Sequence, residues 1–479
     1  MMMLSKTKQY HSRLGSLLLP IRQSLWLRYS LVIFAAVSIY WMAFFPAIMS
    51  FDSVAQWNQI LMGRFSDYHP AFHTITMWLI TRVWESPSII IFLQILFFSI
   101  VSGWGFSILQ NDLNIPVKIT VVLCAFYAFS LVNGLWVITL WKDIPYSIAI
   151  FTVTLMLLKM IISQGRWLER NWIGFAMVAL PITFFRHNGP VVSFGLLIFL
   201  LLVYRKQFKY LLAVFLFLIF AWAAIKGPLY SFFKVTGVDN ADPTRVRYAM
   251  APVVSLVAAH VVNGTPLALE EQSFIKQLHS ENNWDSFYTC YSVVSVMDTN
   301  NINWDSIYAL PGTILRLAYS LTLKDPLVSI SNVACRSDFI WDIPQGKNVT
   351  WSLLASIEPL AYPDYFYIYN LNPDFITPLQ RPLLPRVGYA ISKYFSYTSA
   401  GILKTIVWRP ALYLYAGMIS LSLFVIKKRR IEFYLLTVPM LLHTGSIILS
   451  AGAQDLRYQY PVYLVFWILI GLPWSKKEF

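Results

Sequence analysis

The 479-residue chain is 57% hydrophobic and only 13% charged, with a mean hydropathy of +0.57, more apolar surface than a soluble fold can hide. The net charge of +14 does not point to nucleic acid, because the Lys and Arg residues are scattered through short loops between apolar runs, as membrane topology requires. These numbers predict an all-α polytopic membrane protein, and the 16% aromatic content suits side chains held at headgroup depth.

Residues 1–28 carry Lys6, Lys8, Arg13, Arg22 and Arg28 without a small-residue cleavage pattern, which reads as a cytoplasmic tail and not a signal peptide. Apolar runs follow at 29–49, 88–109, 117–135, 144–162, 171–185, 189–204 and 210–225, then at 410–426, 431–449 and 461–474. A helix needs about 20 residues to cross the hydrocarbon, so the two runs flanking Arg186 are short, and their polar junction is expected to dip into the membrane. The basic clusters Lys159/Arg166/Arg170, Arg205/Lys206/Lys209, Lys427 to Arg430 and Lys476/Lys477 all fall on the side of the N-terminus if residues 70–84 do not cross. That segment, short and carrying Trp78 and Trp84, therefore reads as a re-entrant or interfacial helix in the first outer loop; a short true span is the alternative. About ten transmembrane helices result, with both termini cytoplasmic.

The chain divides accordingly into a tail (1–28), a transmembrane module with the first two outer loops (29–227), an extracytoplasmic domain (228–404) and C-terminal transmembrane helices (405–479). The third unit is richer in Asn, Asp, Ser and Pro. Helical patterning over Leu269–Leu278, with Glu270 and Glu271 early and Lys276 late, complements the helix dipole and predicts a small, mostly helical domain. Asn282 to Tyr288 is echoed by Asn303 to Tyr308. The echo is either an aromatic and acidic surface for sugar contact or, as favoured here, helix caps beside packing aromatics. Asn263 and Asn348 open N-glycosylation patterns. Cys290 and Cys335 lie in the same polar region and either pair or remain free thiols, while Cys124 lies in an apolar run.

Four sequence-distant outer loops present ionisable groups at one depth: Asp52, Asp67, His69 and His73; Lys142 and Asp143; Arg186 and His187; Asp455 and Arg457. Carboxylates mixed with cations can hold an anionic headgroup and still offer a base. Sugar transfer from a polyprenyl phosphate needs both, because the leaving phosphate must be stabilised while the acceptor hydroxyl loses a proton. Asp52 is the candidate base, although it could instead cap the next helix. His69, Lys142, Arg186 and Arg457 are candidate phosphate ligands, with Asp143 orienting Lys142 or the acceptor and His187 a weaker member. No Walker loop, dinucleotide glycine pattern or HExxH motif occurs, and every cytoplasmic segment is too short to house a nucleotide-sugar domain. Asp52, Asp67 and Asp143 would be the groups for a Mg²⁺ ion, but scattered carboxylates are poor evidence; neither metal nor other cofactor is expected.

The apolar span followed by Asp52-Ser53, then His69-Pro70 and an amphipathic helix, resembles the membrane glycosyltransferases of the GT-C fold. Trp141-Lys142-Asp143 is similar to the acidic position of their second outer loop, and Arg457-Tyr458-Gln459-Tyr460-Pro461 to an Arg-Tyr-x-x-Pro step before a terminal span. With Arg186-His187-Asn188-Gly189 and Asp455 to Tyr458, the likeness is greatest to bacterial GT-C-like and O-antigen-modifying enzymes. It is more distant to protein O-mannosyltransferases and lipid A aminoarabinose transferases. It covers roughly residues 24–185 well and the last spans less well. The resemblance implies an inverting glycosyltransferase that moves a sugar from a polyprenyl-phosphate donor to a glycan or glycolipid, such as O-antigen, at the outer face of the bacterial inner membrane. Two departures bear on the acceptor: Asp52 is followed by Ser where protein O-mannosyltransferases carry an Asp-Glu pair, and His69-Pro70-Ala71 lacks their second proline. A transporter or flippase for a lipid-linked saccharide, or a polysaccharide polymerase, are the competing readings. The expected partners are the lipid-linked donor, the acceptor and membrane lipids, with no nucleic acid.

Overall fold

A computed structural model describes residues 24–237, 243–279, 283–297, 302–344 and 382–479. Residues 1–23 of the basic tail and the Asn348 glycosylation pattern lie outside these. Among the described residues the architecture is helical, with only isolated bridges between extended segments.

The first helix, α1 (Leu25–Ala43), buries Tyr29, Ile33, Ala36 and Val37, a face with helical spacing. After it come α2 (Phe51–Met62), α3 (Ala71–Thr81) and α4 (Pro87–Ser107), the last continuing as a π-helical turn to Asp112. The α1 face packs on α4, where Gly103 allows the close approach: a Cβ there would overlap the Ser30 side chain and the Trp26 carbonyl. Small residues let helix backbones meet in this way inside a membrane. Next are α5 (Val117–Ala128) and α6 (Leu131–Val137), bent by 51° from each other, then α7 (Asp143–Ile162), α8 (Arg166–Phe184), α9 (Gly189–Val203) and α10 (Phe208–Ala224). Predominantly apolar on every side between Asp143 and Lys159, α7 is buried among α4, α8 and the C-terminal helices.

A second hydrophobic core forms within α11 (Pro243–Val262), α12 (Leu269–Leu278), α13 (Trp304–Ala309), α14 (Pro311–Lys324) and neighbouring turns. The helix expected at 269–278 is present with those bounds. Trp284 and Trp304, the aromatic centres of the two echoed segments, are both buried in this core, and the Asn303 side chain caps α13 by accepting from Ser306 N–H at 3.3 Å. The packing reading of the echo therefore fits. Beyond it α15 (Pro326–Arg336) brings Cys335 to Cys290, and the two form a disulfide with Cα atoms 5.7 Å apart. The chain ends with α16 (Pro385–Thr398), α17 (Gly401–Trp408), α18 (Pro410–Lys428), α19 (Val438–Ser450) and α20 (Tyr460–Leu469).

Each of the ten expected apolar runs is helical, but among the described residues six helices are long and apolar enough to cross a membrane, or seven if the bent α5–α6 pair counts as one. The shortfall has local causes. Helix α8 opens on Arg166, Glu169 and Arg170, while α9 has 15 residues and α20 only 10. The helix expected to lie at the interface, α3, has 11 residues, well below the roughly 20 a span requires.

Candidate functional site

The residue that places Asp52 is the one before α2. Ser50 is the N-cap, and its N–H is accepted by Ser53 Oγ at 3.1 Å, while its own hydroxyl accepts from the Trp141 indole N–H at 2.6 Å. With the cap supplied by serines, the Asp52 carboxylate in the first helical turn is left to other partners, in a position that the helix dipole favours. The second loop is fixed beside it by a short two-stranded contact, in which Ile48 N–H donates to Ile138 O at 3.0 Å and Leu140 N–H to Ile48 O at 2.9 Å.

Around Asp52 three loops converge. Arg457, just before α20, donates from Nη2 to Asp52 Oδ2 at 2.7 Å and is held from behind by Asp455, ion-paired with its Nε at 2.7 Å. The guanidinium lies 4.8 Å from the Trp141 ring centroid, a cation–π contact. Lys142 Nζ stands 4.0 Å from Asp52 Oδ2 and donates to His69 Nδ1 at 3.0 Å. An ammonium can only donate, so His69 Nδ1 accepts and the ring proton resides on Nε2, which faces Asp52 Oδ1 at 3.9 Å.

The charge states follow from these contacts. Burial pushes the Asp52 carboxyl upward, but the Arg457 guanidinium, assisted by Lys142, outweighs it and holds the group well below the usual carboxylate range. Burial and the Lys142 ammonium together push His69 down to about 3, so it is a neutral donor and not the cation expected at a phosphate. Burial also lowers Lys142 to about 8, despite the opposing pull of Asp52. Arg457 loses hydration too, yet Asp455 and Asp52 more than restore it. It remains cationic.

A second ion pair adjoins the first. Arg186, in the junction between α8 and α9, pairs with Asp143, whose side chain is 1% exposed. Of the two roles expected of Asp143, orienting Lys142 or the acceptor, the first is not the arrangement found: the N-terminal turn of α7 points it at the Arg186 guanidinium, while Lys142 turns to His69 and Asp52. The α8–α9 junction is tight, because a Cβ at Gly189 would overlap the Ile182 carbonyl. Arg186 Nε donates to Asn188 Oδ1 at 3.1 Å, and Asn188 Nδ2 to Ser446 Oγ at 2.7 Å. The Tyr458 ring joins the two halves, with the Arg186 guanidinium 4.9 Å and that of Arg457 5.4 Å from its centroid. Behind it, His443 hydrogen-bonds the Tyr458 carbonyl at 2.5 Å and the Tyr146 hydroxyl at 2.9 Å.

The other outer-loop groups have different duties. Asp67 accepts from Ala71 N–H and the Tyr230 hydroxyl, each at 3.0 Å, and pairs with Lys226 at 2.7 Å. His73 is buried against Gln56. His187 is exposed and contacts the Tyr68 carbonyl at 3.2 Å, so it lies at the edge of the cluster. Asp52, Asp143 and Asp67 each have their own cation, and no group of three metal-ligating side chains exists among the described residues.

Tyr146, His443 and Ser446, with Asn188 of the quoted Arg186-His187-Asn188-Gly189 step, support the cluster, and the first three were not singled out in the sequence. The first three lie inside apolar runs, where a polar or ionisable residue is itself a functional pointer. The small domain abuts this end of the bundle: Val293 N–H donates to Gly452 O at 2.7 Å, and Gln454 Nε2 to Cys335 O at 2.5 Å, three residues before Arg457. No protein-family model, curated protein or solved structure matches this chain.

Proposed function

We propose that the protein is an inverting membrane glycosyltransferase of the GT-C kind, transferring a sugar from a polyprenyl-phosphate donor to a hydroxyl of a glycan or glycolipid. One observation carries the reading: a half-open carboxylate, Asp52, meets Arg457, Lys142 and His69 from three separate loops at the ends of membrane-length apolar helices. A base and phosphate-binding cations are thereby within one cluster, the groups this chemistry needs once the sugar ring lies between Asp52 and the phosphate.

In this mechanism the acceptor oxygen attacks the anomeric carbon from the face opposite the phosphate. The bond from that carbon to the phosphate oxygen breaks, its electron pair leaves with the polyprenyl phosphate, and the acceptor proton passes to Asp52. One displacement inverts the anomeric centre. Arg457 and Lys142 hold the growing charge on the leaving group, with Arg186 next to them across Tyr458. In the resting arrangement Arg457 lies on Asp52 and makes it a weak base. A donor phosphate competes for that guanidinium, so donor binding frees the carboxylate and raises its proton affinity. Asp455 keeps Arg457 in place during the exchange.

The cluster is assigned to the outer face of the bacterial inner membrane, with both termini cytoplasmic and O-antigen or another surface polysaccharide as acceptor. Support comes from the Cys290–Cys335 disulfide in the domain abutting the cluster, since such bonds persist in oxidising compartments, and from the basic loops at the opposite helix ends. The test is transfer by the purified full chain in liposomes supplied with a polyprenyl-phosphate sugar. Asp52-dependent release of polyprenyl phosphate is expected. Undiminished transfer by Asp52→Asn would remove the base assignment, and lipid-linked saccharide crossing the bilayer without bond cleavage would replace the enzyme with a flippase.

A further inference from the structure

At the other end of the bundle lies a cavity that sugar transfer does not use. Its volume is about 540 Å³, and its walls include Leu202, Val203, Arg205, Lys206, Arg430 and Glu432. Helix α7 connects the two places. It begins with Asp143 in the cluster described above and ends near Ile161, which also lines the cavity; its 20 residues span about 30 Å, the thickness of the bilayer hydrocarbon. The cavity thus opens at the opposite membrane surface.

Its charge is unbalanced in a specific way. Arg430 is ion-paired with Glu432 at 2.5 Å, the carboxylate within the lining, so Arg205 and Lys206 face the space as exposed cations with no carboxylate of their own there. The floor is firm: Gly165, at φ +89°, leaves no Cβ where the buried Gln207 amide packs. Beside the cations the wall becomes apolar. Leu202 is 60% and Val203 48% exposed, continuing the outward face of α9 onto the lipid-facing side of the bundle. A phosphate held by Arg205 and Lys206 would place any attached acyl chain along that apolar wall.

We infer that this cavity binds the phosphate headgroup of an anionic phospholipid at the membrane surface opposite the Asp52 cluster. The two cations alone would serve a free phosphate equally well; the continuous apolar wall favours the lipid. The site is independent of the sugar-transfer reading.

Native mass spectrometry of the full chain released from micelles, titrated with phosphatidylglycerol, phosphatidylcholine or inorganic phosphate, tests this. Phosphatidylglycerol should bind in preference to the other two, and the Arg205→Gln/Lys206→Gln variant should bind it roughly 25-fold more weakly, from about fivefold per cation. Glu432→Gln, which releases Arg430 into the cavity, should bind it a few-fold more tightly, a gain that misfolding cannot produce. Wild-type phosphatidylglycerol affinity in the double variant would overturn the site, and inorganic phosphate binding as tightly as the phospholipid would overturn its assignment to lipid.

Discussion

Asp52 and Asp67 sit in the same loop region, 15 residues apart in sequence, yet they are finished in opposite ways. Asp67 is sealed, with 2% of its side chain exposed and both oxygens engaged by Lys226, the Tyr230 hydroxyl and the N–H that opens α3. Asp52 keeps 29% of its side chain exposed. One of its oxygens bonds Arg457, while the other faces His69 across 3.9 Å, beyond hydrogen-bond reach. A carboxylate with spare accepting capacity beside several cations can take part in a reaction. A saturated one fixes a loop.

Paired substitutions give the sharpest test of that distinction. Asp52→Asn should lower the transfer rate by roughly 10²–10⁴-fold, the range for losing a general base, with thermal unfolding in detergent nearly unchanged. Asp67→Asn should do the reverse: it takes the ion pair from Lys226, whose side chain is 27% exposed, weakens the bonds that open α3 and costs about 1.5–3 kcal/mol of stability, seen as a lowered unfolding temperature, while the rate per folded molecule stays near wild type. If Asp67→Asn abolished turnover in a normally folded protein, the contrast between the two carboxylates would collapse.

Arg457→Gln probes the cation that separates the two cases. Loss of one stabilising group for the leaving phosphate predicts a rate lower by roughly 10²-fold. The pH profile should change as well. With the guanidinium gone, the largest downward influence on Asp52 in the donor-free protein disappears and its proton affinity rises, so an acidic limb absent from the wild-type kcat/KM profile, which reports the free enzyme, should enter the measurable range. Retention of the wild-type acidic profile would mean that Arg457 does not govern Asp52.

Much of this was legible in the sequence, for identifiable reasons. Helical boundaries such as Asp143–Ile162 follow from uninterrupted apolar runs, and the brevity of α3 from its 11 residues. The convergence of Asp52, Lys142 and Arg457 was readable because each stands within a few residues of the end of an apolar run, and end-on placement limits depth, while His69 directly precedes the short segment read as interfacial. The pairing pattern was not readable. Lys142 and Asp143 are sequence neighbours, but the last residue before a helix and the first within it point apart, so Asp143 meets Arg186 and Lys142 meets His69. Fewer helices than apolar runs meet the length and composition of a span among the described residues, because an apolar run reports burial as readily as bilayer contact. Helix α20, with 10 residues, is almost wholly buried among its neighbours.

The smallest effect concerns Lys142, which differs from Lys226 as Asp52 differs from Asp67. Lys226 is bound to one carboxylate, whereas Lys142 is shared between a neutral histidine and an already paired aspartate. Burial accordingly outweighs the attraction and holds Lys142 down to about 8. Below that pH it is an ammonium that can ligand phosphate and donate to His69 Nδ1; above it, the charge and the fixed histidine tautomer are both lost. Transfer efficiency should therefore fall on the alkaline side with a midpoint near pH 8. Lys142→Arg keeps a cation whose proton is retained far above that pH, so it should lower the neutral-pH rate by only about fivefold, through poorer fit, and abolish the alkaline fall. An unchanged alkaline limb in Lys142→Arg would assign that titration to another group.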